Sequence, residues 1–495
     1  MTQKQHSIPS KPGRKPGARP GGKRGFSPRR PEGDRVFGRS AKDAPQETTG
    51  ITMNARRVAL DVLCDVHQQG AFASLSLDDH LRAARLKPED RRLVTSLVYG
   101  TLENELRIDF ALDRLMDHPT RQPSQRDILR LSAYQILFLD RVPDSAAVNE
   151  AVKLVKALGM DAASGFINAV LRNLSRGKAE IPWPQKEDDL RVYLSVMGSF
   201  PLWLVDRLIA DYGEEAAERL VLYREREHPI VIRPNLTRTT DEAFEKLLEK
   251  KAWRVERGLA PHAFLVYGAQ EIMYDNDYRA GLFSIQGQSS MLAAEAVQAR
   301  PGMKILDACA APGGKSAYLC EQMQLTGRVF AWELHEKRAQ LLEGARRRLG
   351  LDNLRISVRD AGDWREDLAG AMDAVVLDAP CSGLGVLTQK PDVKLRLKPE
   401  DIPAIVETQK RLLNTVCRYV KPSGTLVYST CSILPEENAL QIRDFLSAHP
   451  EFAMEPLPAS FPEELRRMQT PNGLQLLGCR DGVEGFFIAR LKRVR

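Results

Sequence analysis

What this sequence lacks narrows its class before anything it contains. Across 495 residues no uninterrupted apolar run reaches the roughly 18 residues of a membrane span. The amino terminus lacks the apolar stretch of a secretory signal. Seven cysteines, at positions 64, 309, 320, 381, 417, 431 and 479, contain no C-x-x-C pair. Spread this thinly, they make neither a disulfide framework nor a zinc cluster. The expectation is a cytoplasmic protein with free thiols, no membrane and no metal. Hydrophobic residues make up 43% and charged residues 28%, the composition of a globular protein. The chain is too long for one ordinary core, so several domains are expected.

Acidic excess is also missing, and the basic excess is local. Residues 1–50 hold twelve Lys/Arg against four Asp/Glu, leaving 60 basic and 61 acidic residues for the rest of a chain whose net charge is +7. This tail, rich in Gly, Pro, Ser and Arg, has too little apolar surface to offset its ordering entropy and reads as disordered. It is either a solubility tail or a sequence-blind arm for nucleic acid phosphates.

Three kinds of pattern follow it. From Thr52 to about Arg176 the apolar spacing is helical, with Thr52 and Ser124 as candidate caps and five or so helices in a compact bundle. Pro182-Trp183-Pro184 marks a linker, residues 190–228 are again helical, and Ile230–Arg233, Asp241–Lys250 and His262–Tyr267 read as strand, helix and strand of a small α+β subdomain. After Gly281 strands and helices alternate. The short apolar strands are Lys304–Ala308, Arg328–Trp332, Leu354–Val358, Ala374–Leu377 and Thr425–Tyr428, with Phe486–Ala489 as a last, antiparallel one. That rhythm predicts a Rossmann-like, doubly wound α/β sheet. The expected boundaries are 1–50 for the tail, 51–180 for the bundle, 181–285 for the linker and subdomain, and 286–495 for the α/β domain.

Doubly wound sheets bind ligands beyond the carboxyl ends of their strands. Asp307, Glu333, Asp360, Asp378 and Cys431 all fall there. The turn Cys309-Ala310-Ala311-Pro312-Gly313-Gly314-Lys315 lets backbone pass close to a ligand at a helix start. It is not a Walker loop, because Cys309 stands where that pattern needs Gly, and it holds no G-x-G-x-x-G. Glu333 can accept hydrogen bonds from a ribose diol, and with Asp360 at the next strand end the set suggests a nucleoside cofactor. Two thiols share this edge. Cys381 follows Asp378-Ala379-Pro380, and Cys431 lies in Ser429-Thr430-Cys431-Ser432 before Pro435-Glu436-Glu437-Asn438. A thiol here becomes a nucleophile if its thiolate is stabilised. The other cysteines 64, 320, 417 and 479 read as small buried hydrophobes.

These three motifs, in this order over nearly 200 residues, resemble the S-adenosylmethionine-dependent RNA cytosine-5 methyltransferases. Leu97–Leu102, Ala133–Leu137, Ala147–Val152 and Gly165–Arg172 look like the RNA-binding antitermination factor NusB. A NusB-like domain fused to such a methyltransferase is the arrangement of bacterial small-subunit (16S) rRNA enzymes of the RsmB (Sun) type. The resemblance implies a monomer acting on 16S rRNA with S-adenosylmethionine along Cys309–Lys315, Glu333 on its ribose, and Asp360 and Asp378 nearby. It assigns attack on the cytosine 6-carbon to Cys431, contact with the base to Asp378, and assistance in release to Cys381. At Lys315 it implies a polar contact rather than proton abstraction; Arg233 and Asn235 match a family turn. The chain departs from the family's wording at Gly287 for a common Asp, Lys390 for Arg, Leu395 for Trp, and Glu333 for Asp. Other readings are the same reaction on tRNA, a DNA-type enzyme in which the Cys of the Pro-Cys turn attacks, and a non-catalytic RNA-binding assembly factor.

Overall fold

The computed structural model describes residues 54–120, 122–224, 229–269 and 272–495. The basic tail and the Thr52 cap expected above lie outside the described residues. Everything described belongs to one compact unit.

Among the described residues seven helices, not five, form the amino-terminal bundle: Ala55–Gln69, Ala73–Ala83, Pro88–Glu103, Glu105–Asp113, Pro123–Phe138, Asp144–Ala157 and Ser164–Gly177. Asn54 caps the first, its side chain accepting from the Arg57 amide at 2.8 Å. The expected Ser124 cap is replaced by a proline start at Pro123, with Gln122 before it and no side-chain cap. One added helix comes from a break at Asn104, whose amide side chain bonds the Gly100 carbonyl. The bundle core includes Val58, Val62, Leu97, Leu102, Ile128, Leu131, Val155 and Leu171, all fully buried.

Three helices, Leu190–Met197, Leu202–Tyr212 and Glu214–Leu222, lead to a small antiparallel sheet. Its strands are β1 (Ile230–Pro234), β2 (Arg254–Arg257), β3 (Phe264–Tyr267) and β4 (Phe283–Ile285), in the order β2-β3-β1-β4. Helix Asp241–Leu248 closes one face through Phe244 and Leu248.

The large sheet holds β5 (Lys304–Asp307), β6 (Arg328–Glu333), β7 (Leu354–Val358), β8 (Met372–Asp378), β9 (Val420–Thr430), β10 (Phe452–Met454), β11 (Leu474–Leu476) and β12 (Phe486–Arg493). Their order is β10-β12-β9-β8-β5-β6-β7, with β11 paired to β12. Strands β5 to β9 run parallel and β12 is antiparallel to β9. The strand order reverses between β5 and β8, the place where a doubly wound sheet opens a crevice at its carboxyl edge. Asp378 pairs in register with Ser429, so the chain leaves β8 and β9 side by side. Among the described residues no single helix is long and apolar enough to cross a membrane.

Candidate active site

The two parallel exits deliver the thiols to one spot. The sulfurs of Cys381 and Cys431 are 3.1 Å apart, and the Cys431 amide donates to the Cys381 sulfur at 3.2 Å. The Gly385 amide holds the Cys431 carbonyl at 2.9 Å. A side chain at Gly385 would collide with the Gly485 carbonyl, 2.0 Å from its Cβ position, so glycine lets the turn after Cys381 pass against the segment that leads into β12.

Their electrostatics differ. The hydrogen bond from Cys381 lowers the Cys431 thiol below its ordinary value, against burial and Asp378 and with help from Lys390 and Lys315. Cys381 is pushed well up by that same bond, then by burial, then by the charge on Cys431, and then by Glu437 and Asp378. One thiol of the pair is therefore favoured as thiolate and the other as proton holder.

Asp378 and Lys315, both expected at the site, do meet. The Lys315 ammonium donates to Asp378 at 2.8 Å and to the Ser290 hydroxyl at 3.0 Å, and the Ser429 hydroxyl donates to Asp378 at 2.7 Å. Lys315 thus bridges Asp378 and Ser290. Ser290 accepts from the Gln286 amide, whose oxygen accepts from Arg233 at 2.8 Å. Arg233 is fully buried and pairs with the equally buried Glu321. A continuous polar chain links the small sheet to the edge of the large one.

The loop from Cys309 to Lys315 turns at Gly313, where φ is +111°, a conformation that side-chain-bearing residues rarely adopt. Helix Gly314–Gln322 starts there. Burial, with Asp307, Asp378 and Glu333 nearby, pushes the Cys309 thiol up. Asp307 is fully buried at the end of β5, held by Ser316 at 2.6 Å, and burial pushes it up to about 6. Glu333 is nearly buried; one oxygen accepts from the His335 amide at 3.0 Å and faces Arg338 at 3.6 Å. Asp360 accepts from the Gly362 amide and pairs with Arg411 at 3.0 Å. Glu333 and Asp360 thus line the edge through different partners. Among the described residues no cluster of His, Cys, Asp and Glu is arranged to hold a metal.

Several contributors escaped the sequence reading. Glu437 accepts from the Ser382 amide at 2.9 Å, from the Ser382 and Ser432 hydroxyls, and from Gln409 at 2.9 Å. The repeated Cys-Ser dipeptide was the available signal. The family departures also find reasons. Glu484 fills the space beside Gly287, where its carboxylate accepts the Ser289 amide at the start of helix Gln288–Glu295, the place of a capping Asp. Leu395 packs on the amino-terminal bundle, while Asp392 accepts the Ala73 amide and Lys394 donates to the Glu103 carbonyl at 3.0 Å.

Family models match three parts of this chain: "16S rRNA methyltransferase RsmB/F" over residues 294–492, "NusB family" over 53–176, and an RsmF/B-like ferredoxin-like domain over 200–273. A Bacillus subtilis protein named "Probable ribosomal RNA small subunit methyltransferase B" is 35% identical over 89% of this chain and 99% of its own length. The chain belongs to the RsmB/F methyltransferase family. A Synechocystis relative bearing the same name is 32% identical over 89% of this chain and 100% of its own. In fold, a solved chain described as PH0851 superposes with a TM-score of 0.75 at 23% identity, over 89% of this chain and 99% of that one.

RsmB/F enzymes are S-adenosylmethionine-dependent, and the residues present suit that cofactor. Gly313 and Gly314 let the loop turn tightly against Leu342 and Gln286 into the start of the helix. An unpartnered buried oxygen of Asp307 sits beneath it. Leu334, 55% exposed directly after Glu333, offers an apolar face of the kind an adenine covers.

Proposed function

We propose that this RsmB/F-family methyltransferase transfers a methyl group to the 5-carbon of a cytosine in small-subunit (16S) rRNA through a covalent Cys431–base adduct. The observation that carries the reading is the thiol pair: two sulfurs 3.1 Å apart at adjacent strand ends, one favoured as thiolate. Aromatic cytosine carbon is a poor nucleophile, and addition of the Cys431 thiolate to the 6-carbon turns the 5-carbon into the reactive end of an enamine. When bound, S-adenosylmethionine would be held along Cys309–Lys315, with Glu333 on its ribose and Asp360 and Asp378 nearby, and would supply the methyl group. Asp378, held by Lys315 and Ser429, bonds the base near ring nitrogen 3 through a proton that it carries or shares, which stabilises the adduct. Loss of the proton on the 5-carbon then frees the Cys431 sulfur, and Cys381 assists that release. The product differs from the substrate by a methyl in place of a hydrogen, with one proton and the thiolate returned.

The target base must leave its stack to reach the sheet edge. The NusB-like bundle, within the expected boundaries 51–180, and the basic tail supply phosphate contacts that position RNA without reading bases. The NusB family match over 53–176 supports that division. The free cysteines support a cytoplasmic setting, and a single chain carries all the groups named here, in keeping with a monomer.

Transfer of labelled methyl to 16S rRNA, followed by digestion to nucleosides and chromatography, tests the reading. Label in 5-methylcytidine is the expected result; label in any other nucleoside, or none, overturns it.

A further inference from the structure

The two thiols sit in turns that share a Cys-Ser dipeptide, Cys381-Ser382 and Cys431-Ser432, yet only one is favoured as thiolate. Glu437 breaks the symmetry. It lies in the turn after β9, fully buried, and its carboxylate bonds both serines that follow the cysteines. Oε1 receives the Ser382 and Ser432 hydroxyls, and Oε2 receives the Ser382 amide and the Gln409 side chain. Gln409 in turn donates to the Pro380 carbonyl at 3.0 Å, and the Tyr428 hydroxyl donates to the Glu437 carbonyl at 2.7 Å. A fully buried carboxylate with this many donors is costly to desolvate and is stable only as their common acceptor.

We propose that Glu437 is the positioning residue of the thiol pair: one carboxylate that locks the two cysteine turns together and, by lying nearer the Cys381 turn, directs the shared proton to Cys381 so that Cys431 attacks. It makes three bonds to that turn's neighbourhood, two to Ser382 and one through Gln409 to Pro380, against one to the Cys431 turn. The charges facing the pair are arranged to match. Glu437 raises Cys381, Asp378 raises both thiols, and Lys390 and Lys315 lower Cys431. Tyr428, buried beside them, is itself pushed well up by burial and by these negative groups. The Cys431 amide that donates to the Cys381 sulfur acts the other way, favouring charge on Cys381, so a fixed negative charge on that side has a definite task. This rests on the reading of Cys431 as nucleophile.

The test uses the full-length enzyme without RNA. Limiting iodoacetamide is added across a pH series, and peptide mass spectrometry gives the ratio of label at Cys431 to label at Cys381. Wild type is expected to favour Cys431 by about tenfold, following the difference in thiolate population. In Glu437→Gln the preference shrinks about threefold or more, and Glu437→Asp, which keeps the charge, recovers most of it. Ser382→Ala/Ser432→Ala, which removes the two hydroxyl bonds that lock the turns, also loses part of the preference and gives a second reading should Glu437→Gln fail to fold. An unchanged ratio in a folded Glu437→Gln, or in the double serine variant, overturns the role given to Glu437 and leaves the methyl transfer reading standing. Preferential labelling of Cys381 in wild type contradicts the nucleophile assignment itself.

Discussion

Cys417 and Cys431 flank the same strand, one just before β9 and one just after it, and the fold treats them in opposite ways. Cys417 is sealed in an apolar cluster with Val416, Leu412 and Val420, and burial pushes its thiol up to about 12. Cys320 is held the same way among Leu319, Met323 and Tyr318, and burial raises it too. Cys431 instead faces a second sulfur, and the proton that Cys381 offers it outweighs burial. The difference teaches that a strand-end thiol becomes a reagent through its neighbour. A lone buried thiolate has nothing to offset its desolvation, whereas a pair can share one proton between two sulfurs.

The sharpest way to break this contrast is Cys431→Ala. Methyl transfer is expected to fall by at least ~10³-fold, because residues acting as a catalytic unit fail together, while the melting temperature stays close to wild type. Asp378→Asn comes next. It keeps the shape but loses the carboxylate that Lys315 holds at 2.8 Å, and single-turnover methyl transfer is expected to slow by ~10²-fold, the range of a positioned acid–base group. A smaller effect is read from pH. Because the Cys431 value is lowered, its thiolate persists below the pH at which an ordinary thiol is already protonated. Its alkylation in wild type should therefore rise at lower pH than that of a free-thiol peptide, and Cys417 should stay unlabelled through about pH 9. Equal midpoints for Cys431 and the peptide would erase the distinction. Smallest of all is Cys417→Ala, expected to cost about 1 kcal/mol in denaturant unfolding and to leave turnover within about twofold.

Much of this was legible in the sequence because the parallel strands β5, β6 and β8 are short, mostly apolar runs that end at a carboxylate residue. Alternation of such runs with helices fixes the sheet class, and the sheet class puts Asp307, Glu333, Asp378 and the two thiols on one edge. Legibility failed where tertiary context decides. Arg254–Arg257 is a strand with mostly exposed, charged side chains. Strands β10 and β11 are three residues each, too short to show a period. At the site, the distance between the thiols depends on the register of Asp378 against Ser429, which no local pattern encodes. The sequence does not separate the two glutamates of the Pro435-Glu436-Glu437-Asn438 turn; only the folded chain shows that Glu437 is buried while Glu436, beside it, reaches outward to Arg207.

The central claim is that Cys431 makes the bond to RNA and Cys381 helps to undo it. The most direct measurement is a denaturing gel of Cys381→Ala incubated with small-subunit rRNA and S-adenosylmethionine. The expected result is a slow, RNase-sensitive protein–RNA band that disappears in Cys381→Ala/Cys431→Ala. A band that forms in Cys431→Ala and requires Cys381 would contradict the account, reversing the roles of the two thiols.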